Sequence, residues 1–171
     1  AITTAGQLWM WGRGQSGELG DNTGGAKSSP VQVASDKTWA SMATPGTATL
    51  ALTTSGQLWV WGVNTYGRLG DNTATTRSSP VQIGSDKTWS VVANGNTGYN
   101  ALAITTSGEL WSWGRGTQGR IGDNATSDRS SPVQIGTDQA WAPASTGSNL
   151  AAAVPTTGAL SVWGYNPSGG L

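Results

Sequence analysis

The string ALTTSGQLWVWG at residues 51–62 recurs as AITTAGQLWMWG at 1–12, as AITTSGELWSWG at 103–114 and, more loosely, as AVPTTGALSVWG at 153–164. The spacings are 50, 52 and 50 residues. A second block follows the first three copies: Leu19-Gly20-Asp21-Asn22, Leu69-Gly70-Asp71-Asn72 and Ile121-Gly122-Asp123-Asn124. A third block begins at Ser28, Ser78 and Ser130 as SSPVQV or SSPVQI, and nine residues beyond its proline stands Trp39, Trp89 or Trp141. Self-similarity at a fixed period of this size marks one supersecondary unit repeated, each copy burying its apolar surface against its neighbours.

Each unit reads as four short strands. Val31 to Val33 follows Pro30, which has no N–H for a ladder and so suits an outer edge. Trp39 to Ala43 and Leu50 to Thr53 come next, and Thr54-Ser55-Gly56 turns the chain into Gln57 to Trp61. In the last strand Trp59 and Trp61 point to one side and Leu58 and Val60 to the other, so both faces are apolar. A small sheet with two apolar faces must be sandwiched, and radially stacked four-stranded sheets achieve this. The expected fold is all-β: antiparallel four-stranded propeller blades, with almost no helix.

Blades drawn from this pattern span residues 30–62, 80–114 and 132–164, with a half-blade at 1–12, all within a single propeller segment, 1–171. That is about three and a half blades, whereas closed rings take about four to eight. The expectation is an excerpt of a longer parent chain, with sharing of blades between copies as the alternative.

Composition narrows the chemistry. Ten Trp but no Phe, His or Cys occur in 171 residues. Trp9, Trp11, Trp39, Trp59, Trp61, Trp89, Trp111, Trp113, Trp141 and Trp163 are expected to pack blade against blade. Burying roughly 150–250 Å² of each ring at ~25 cal/mol per Å² contributes about 4–6 kcal/mol before entropy is subtracted. Without His or Cys there is no imidazole base, thiolate or Cys-type zinc site, and no catalytic residue, metal site or cofactor is expected. Nine basic and nine acidic residues are scattered, leaving no basic stripe for a phosphate backbone, so nucleic acid is not an expected partner. No apolar run reaches membrane-spanning length, so membrane insertion is not expected. Asp21, Asp71 and Asp123 in Gly-Asp-Asn, and Asp36, Asp86 and Asp138 in Ser/Thr-Asp-Lys/Gln, read as turn residues rather than calcium ligands.

Variation between repeats points to recognition. The loop after each Trp-Gly changes, and places Arg13, Gln15, Asn64, Tyr66, Arg115, Gln118, Tyr165 and Asn166 as candidate binding residues along one rim. A second variable place, Asn94 to Asn100, carries Tyr99 and the two-residue insertion.

The order Leu58-Trp59-Val60-Trp61-Gly62, Asn64, Gly67, Leu69-Gly70-Asp71, then Pro80-Val81-Gln82, resembles the regulator of chromosome condensation repeat, in the Trp-rich style of bacterial and phage members. Ala48, Asn100 and Leu150 depart from it where the family often has His. The resemblance implies a seven-bladed propeller about twice as long. The family's functions include nucleotide exchange on a small GTPase, inhibition and scaffolding, so the fold alone does not give the activity. The first expectation is a non-enzymatic structural or adhesion protein of a virion or cell surface, binding a protein partner or larger assembly. A regulatory binding module, either an enzyme inhibitor or a guanine nucleotide exchange factor, is the second. A carbohydrate-binding protein presenting exposed Trp and Tyr to a glycan is the third.

Overall fold

The computed structural model describes residues 1–44, 46–94, 99–137, 140–147 and 149–166. Its strands are β1 (Leu8–Gly12), β2 (Lys27–Val33), β3 (Trp39–Ala43), β4 (Ala48–Thr53), β5 (Leu58–Gly62), β6 (Arg77–Ile83) and β7 (Trp89–Asn94). They continue as β8 (Asn100–Thr105), β9 (Leu110–Gly114), β10 (Arg129–Ile135), β11 (Trp141–Thr146), β12 (Leu150–Pro155) and β13 (Ser161–Gly164). Two single 3₁₀ turns, Thr65–Gly67 and Thr117–Gly119, are the only helical elements among the described residues. None of these can cross a membrane as a helix.

Two four-stranded antiparallel sheets, β3-β4-β5-β6 and β7-β8-β9-β10, stand between a two-stranded sheet β1-β2 and a three-stranded sheet β11-β12-β13. The blades are therefore offset by one strand from the boundaries 30–62, 80–114 and 132–164. The proline strand closes the blade before it instead of opening the one after: Val81 pairs with Val60, and Val31 with Met10. The half-blade at 1–12 gains β2 in the same way, and Ile2 bridges to Leu8 on its other side. The edge position expected of the proline holds, because β2, β6 and β10 each pair on one side only. The register shifts between Val60 and Gly62, where Arg77 rather than Ser78 to Pro80 meets the ladder. An edge bulge of this kind tolerates a residue without an N–H.

Both faces of each central strand are buried, as the Trp/aliphatic alternation requires. Leu50, Leu58, Val60 and Ile83 of one blade pack against Trp89, Ala103 and Trp113 of the next. Leu102, Leu110 and Ile135 pack against Trp141, Ala153 and Trp163 in turn, and Leu8 and Val33 against Trp39 and Trp61. Trp11 differs from its equivalents: it is 51 % exposed, whereas Trp61 and Trp113 are fully covered by the loop of the preceding blade. No blade of the described residues stands on the corresponding side of Trp11.

The Gly-Asp-Asn blocks are turns. Asp21, Asp71 and Asp123 each accept, through Oδ1, the main-chain N–H two residues on, at 3.1 Å. Asn22, Asn72 and Asn124 follow at φ 62, 60 and 61°, the left-handed region that Asn tolerates. The N–H groups of Asn22 and Asn72 donate to Ser78 and Ser130 in the next blade, at 2.8 and 2.7 Å, so the turns also join blades. Asp36 and Asp86 pair with the adjacent Lys37 and Lys87, while Asp138 lies outside the described residues.

Candidate interaction site at the loop rim

The loops that follow β5 and β9 and the turn that precedes β8 meet at one place. The main-chain N–H of Arg115 donates to the Tyr99 carbonyl at 2.9 Å, which fixes these two residues side by side at the end of the β8-β9 ladder. Tyr66, from the preceding blade, meets the Tyr99 ring edge-on with centroids 6.0 Å apart. The Arg115 guanidinium lies 4.7 Å from the Tyr66 ring centre and 5.3 Å from that of Tyr99. Arg68 approaches Tyr99 as well, at 5.1 Å. Tyr66 stands at φ 65° and Gln118, its equivalent one repeat on, at φ 66°. A tyrosine held there carries backbone strain of order 1–3 kcal/mol, which the rigid blades on either side must maintain.

Of the rim residues expected from sequence, the structure joins Tyr66 and Arg115 and adds Tyr99 from the second variable place, whose residues 95–98 lie outside the described set. Gln118 is exposed beside them, its amide oxygen accepting from Arg120 Nη2 at 2.6 Å. Arg13 and Gln15 are exposed in the first repeat, where Arg13 pairs with Glu18 at 3.5 Å. Tyr165 and Asn166 are exposed in the last, next to residues 167–171, which also lie outside the described set.

Asn64 is not a rim ligand. It is fully buried: its Nδ2 donates to Asp71 Oδ1 at 2.8 Å and to the Thr73 carbonyl at 3.0 Å, and its Oδ1 accepts from Leu69 N–H. An amide with its hydrogen-bonding capacity engaged inside its own loop is a structural clamp.

Arg68 and Arg120 were missed by sequence reasoning because they sit inside the regular Gly-Arg-Leu/Ile-Gly block. The signal was present: Glu18 occupies the same place in the first repeat, a reversal of charge at an otherwise constant position. Arg68 is 5 % and Arg120 6 % exposed. Burial lowers the pKa of Arg68, and the Arg115 charge pushes the same way while the phenols of Tyr99 and Tyr66 oppose it. Burial and then Arg115 also lower that of Arg120. Guanidinium pKa values start so high that Arg68 and Arg120 both remain cationic at neutral pH.

Apart from Trp11, the repeated Trp residues are poorly placed as sugar platforms. Trp39, Trp61, Trp89, Trp113 and Trp141 are buried, and Trp59 and Trp111 are half-buried under Lys37 and Lys87. No group of three or more acidic side chains gathers in a metal-binding arrangement among the described residues.

A family model for the regulator of chromosome condensation (RCC1) repeat matches residues 5–52, 55–98 and 107–154. The chain belongs to the RCC1 repeat family. Over 174 aligned residues it is 36 % identical to the mitochondrial RCC1 domain-containing protein RUG3 of Arabidopsis thaliana, covering 96 % of this chain and 39 % of that protein. Mouse protein RCC2 matches over 42 % of the chain and 14 % of its own length, at 35 % identity. Among solved structures, human WBSCR16 superposes with a TM-score of 0.81 at 24 % identity, covering 95 % of this chain and 44 % of that one. Prp20p of Saccharomyces cerevisiae gives 0.76 at 20 % identity, covering 99 % and 42 %. These RCC1 relatives are eukaryotic, so the bacterial and phage version expected from the Trp-rich style has no counterpart among them. The chain spans less than half of each, and its blades correspond to part of an RCC1 propeller.

Proposed function

We propose that the protein is a regulatory binding module in which a rigid propeller rim engages a protein partner. The observation that carries this is the convergence of Tyr66, Tyr99 and Arg115 from two adjacent blades. Tyr and Arg dominate interface hot spots, and a frame that orders them before binding lowers the entropic cost of association. Yeast Prp20p, similar in fold, is known for binding Gsp1p and histones and in complex with Kap60, all proteins. The reading is non-enzymatic, in keeping with a chain that has no His or Cys. It takes the place of the virion or surface adhesion role suggested by composition, which neither the rim nor the named relatives support.

Isolation of the full-length protein from its source with its bound partner, followed by titration of that partner, tests the reading. A soluble, saturable complex weakened at least tenfold by Tyr66→Ala is expected. Recovery of capsid, tail or envelope components alone would overturn it and restore the adhesion role.

A further inference from the structure

The charge pairing across the molecule is uneven. The chain carries nine Lys and Arg. Six of these, Arg13, Lys27, Lys37, Arg77, Lys87 and Arg129, form ion pairs with neighbouring carboxylates. The other three are Arg68, Arg115 and Arg120, and no carboxylate among the described residues pairs with them. All three lie at the Tyr66–Tyr99 cluster or against it.

Two of the three are clamped by neutral oxygens. Arg68 donates from Nε to the Thr65 carbonyl and from Nη1 to Thr47 Oγ1, at 3.0 and 3.2 Å. Arg120 donates from Nη1 to Thr117 and from Nη2 to Gln118 and Asn149, at 3.1, 2.6 and 2.7 Å. Arg68 commits two of its five N–H donors in this way and Arg120 three, and both side chains are buried, so they contribute positive potential more than contact. Arg115 is held differently, by two aromatic faces, and its Nε is buried without an acceptor. The buried Nε of Arg120 also lacks an acceptor. The Nε of Arg115 itself is closed to solvent, but its Nη groups are not and donate to no described residue, so an anion meeting them would offset the desolvation cost of this guanidinium.

We propose that Arg115, flanked by Tyr66 and Tyr99 and backed by Arg68 and Arg120, receives a carboxylate side chain from an acidic segment of the protein partner. This rests on the binding-module reading and names the partner's chemistry. One guanidinium fork between phenol rings matches a planar carboxylate, which takes two parallel hydrogen bonds. A phosphate is better held by several convergent donors or a nest of main-chain N–H groups, and here the two other guanidinia are engaged with protein oxygens. A nucleic-acid backbone would need a track of free cations, and the cations elsewhere are paired.

The test uses a labelled Glu-rich octapeptide, its Gln counterpart and inorganic phosphate against the full-length protein, read by fluorescence anisotropy. The Glu peptide is expected to bind at least tenfold more tightly than the Gln peptide. Arg115→Gln should abolish that preference, Arg115→Lys should restore only part of it, and Lys27→Gln, which removes an equal charge elsewhere, should leave it intact. Equal binding of the two peptides, or an equal loss in Lys27→Gln, would overturn the proposal. So would phosphate displacing the peptide at a lower concentration than acetate does. The peptide assay does not require the partner: loss of discrimination while the partner still binds removes the carboxylate site alone, whereas absence of any saturable partner removes the module reading.

Discussion

The indole Nε1 of Trp113 donates to the main-chain carbonyl of Arg68 in the preceding blade, at 3.0 Å. The same bond joins Trp61 to Glu18 at 3.0 Å and Trp163 to Arg120 at 3.1 Å. The side chain at the carbonyl position changes from Glu to Arg while the bond is kept, because only its backbone is used. One residue therefore ties blade to blade through its carbonyl and sets the local charge through its side chain.

The bond depends on a close approach that only glycine allows. Gly70 stands at φ +75°, and a Cβ there would come within 2.8 Å of Trp113 Cδ1. Gly70→Ala combines a left-handed backbone with overpacking, and the expected loss is about 2–4 kcal/mol. Equilibrium urea denaturation followed by Trp fluorescence checks this. A midpoint shifted by less than one kcal/mol equivalent would show that the blades can slide apart to accommodate the methyl group.

Ala34 occupies a glycine position. It stands at φ 44°, where its equivalents Gly84 and Gly136 have φ 54 and 60°. Trp89 and Trp141 donate Nε1 to the carbonyls of those glycines at 3.3 Å, but Nε1 of Trp39 is buried without a partner. Ala34→Gly relieves the backbone and lets Trp39 form the missing bond. A net stabilisation of about 0.5–1 kcal/mol is expected after the extra chain entropy of glycine is offset. Thermal unfolding should show a higher Tm; an unchanged or lower one would count against the strain at Ala34.

The repeat alone made the fold legible, since Trp59 and Trp61 alternating with Leu58 and Val60 admit no arrangement other than a sheet covered on both sides. The blade boundary was not legible. The strand after Pro80 could pair with β5 before it or β7 after it, and the choice depends on the bulge opposite Trp61, a feature of register rather than composition. At the rim, Tyr66 and Arg115 were visible as variation. Asn64 stands in the same variable loop but is also part of the repeat signature, and its amide is engaged by Asp71, seven residues on, a contact that exists only once the loop is closed. Arg68 and Arg120 were hidden by apparent regularity, because a constant backbone role masked a side chain that differs in charge.

A cation–π pair accompanies the first Trp of the Trp-x-Trp strand. Lys37 lies 4.2 Å from the ring centre of Trp59, and Lys87 4.4 Å from that of Trp111. In the next repeat both members change, with Gln139 at the Lys place and Ser161 at the Trp place. A double-mutant cycle on Lys87→Gln and Trp111→Ser should give a coupling of about 0.5–1 kcal/mol. Additive effects in urea denaturation would show that the two positions change independently.

Stability should also fall with acid through the buried turn carboxylates. Burial works against the charged form of Asp71, but hydrogen bonds from Thr73, Arg77 and Asn64, together with the Arg77 charge, outweigh it and hold its pKa below the ordinary carboxylate value. Asp21 is lowered likewise: burial is outweighed by Thr23 and Lys27. A folded-state pKa below the unfolded one, ~3.9 for Asp, adds stability that is fully present above the unfolded value. That contribution is lost as pH falls through the folded value. The urea midpoint should accordingly be insensitive to these groups between about pH 5 and 7 and drop steeply below about pH 4. Asp71→Asn should lower the midpoint at pH 7 by about 2 kcal/mol, because the charged bonds from Arg77 and Thr73 are weakened, and should make the acid limb shallower. An acid limb of unchanged slope in the variant would place the proton uptake on other carboxylates.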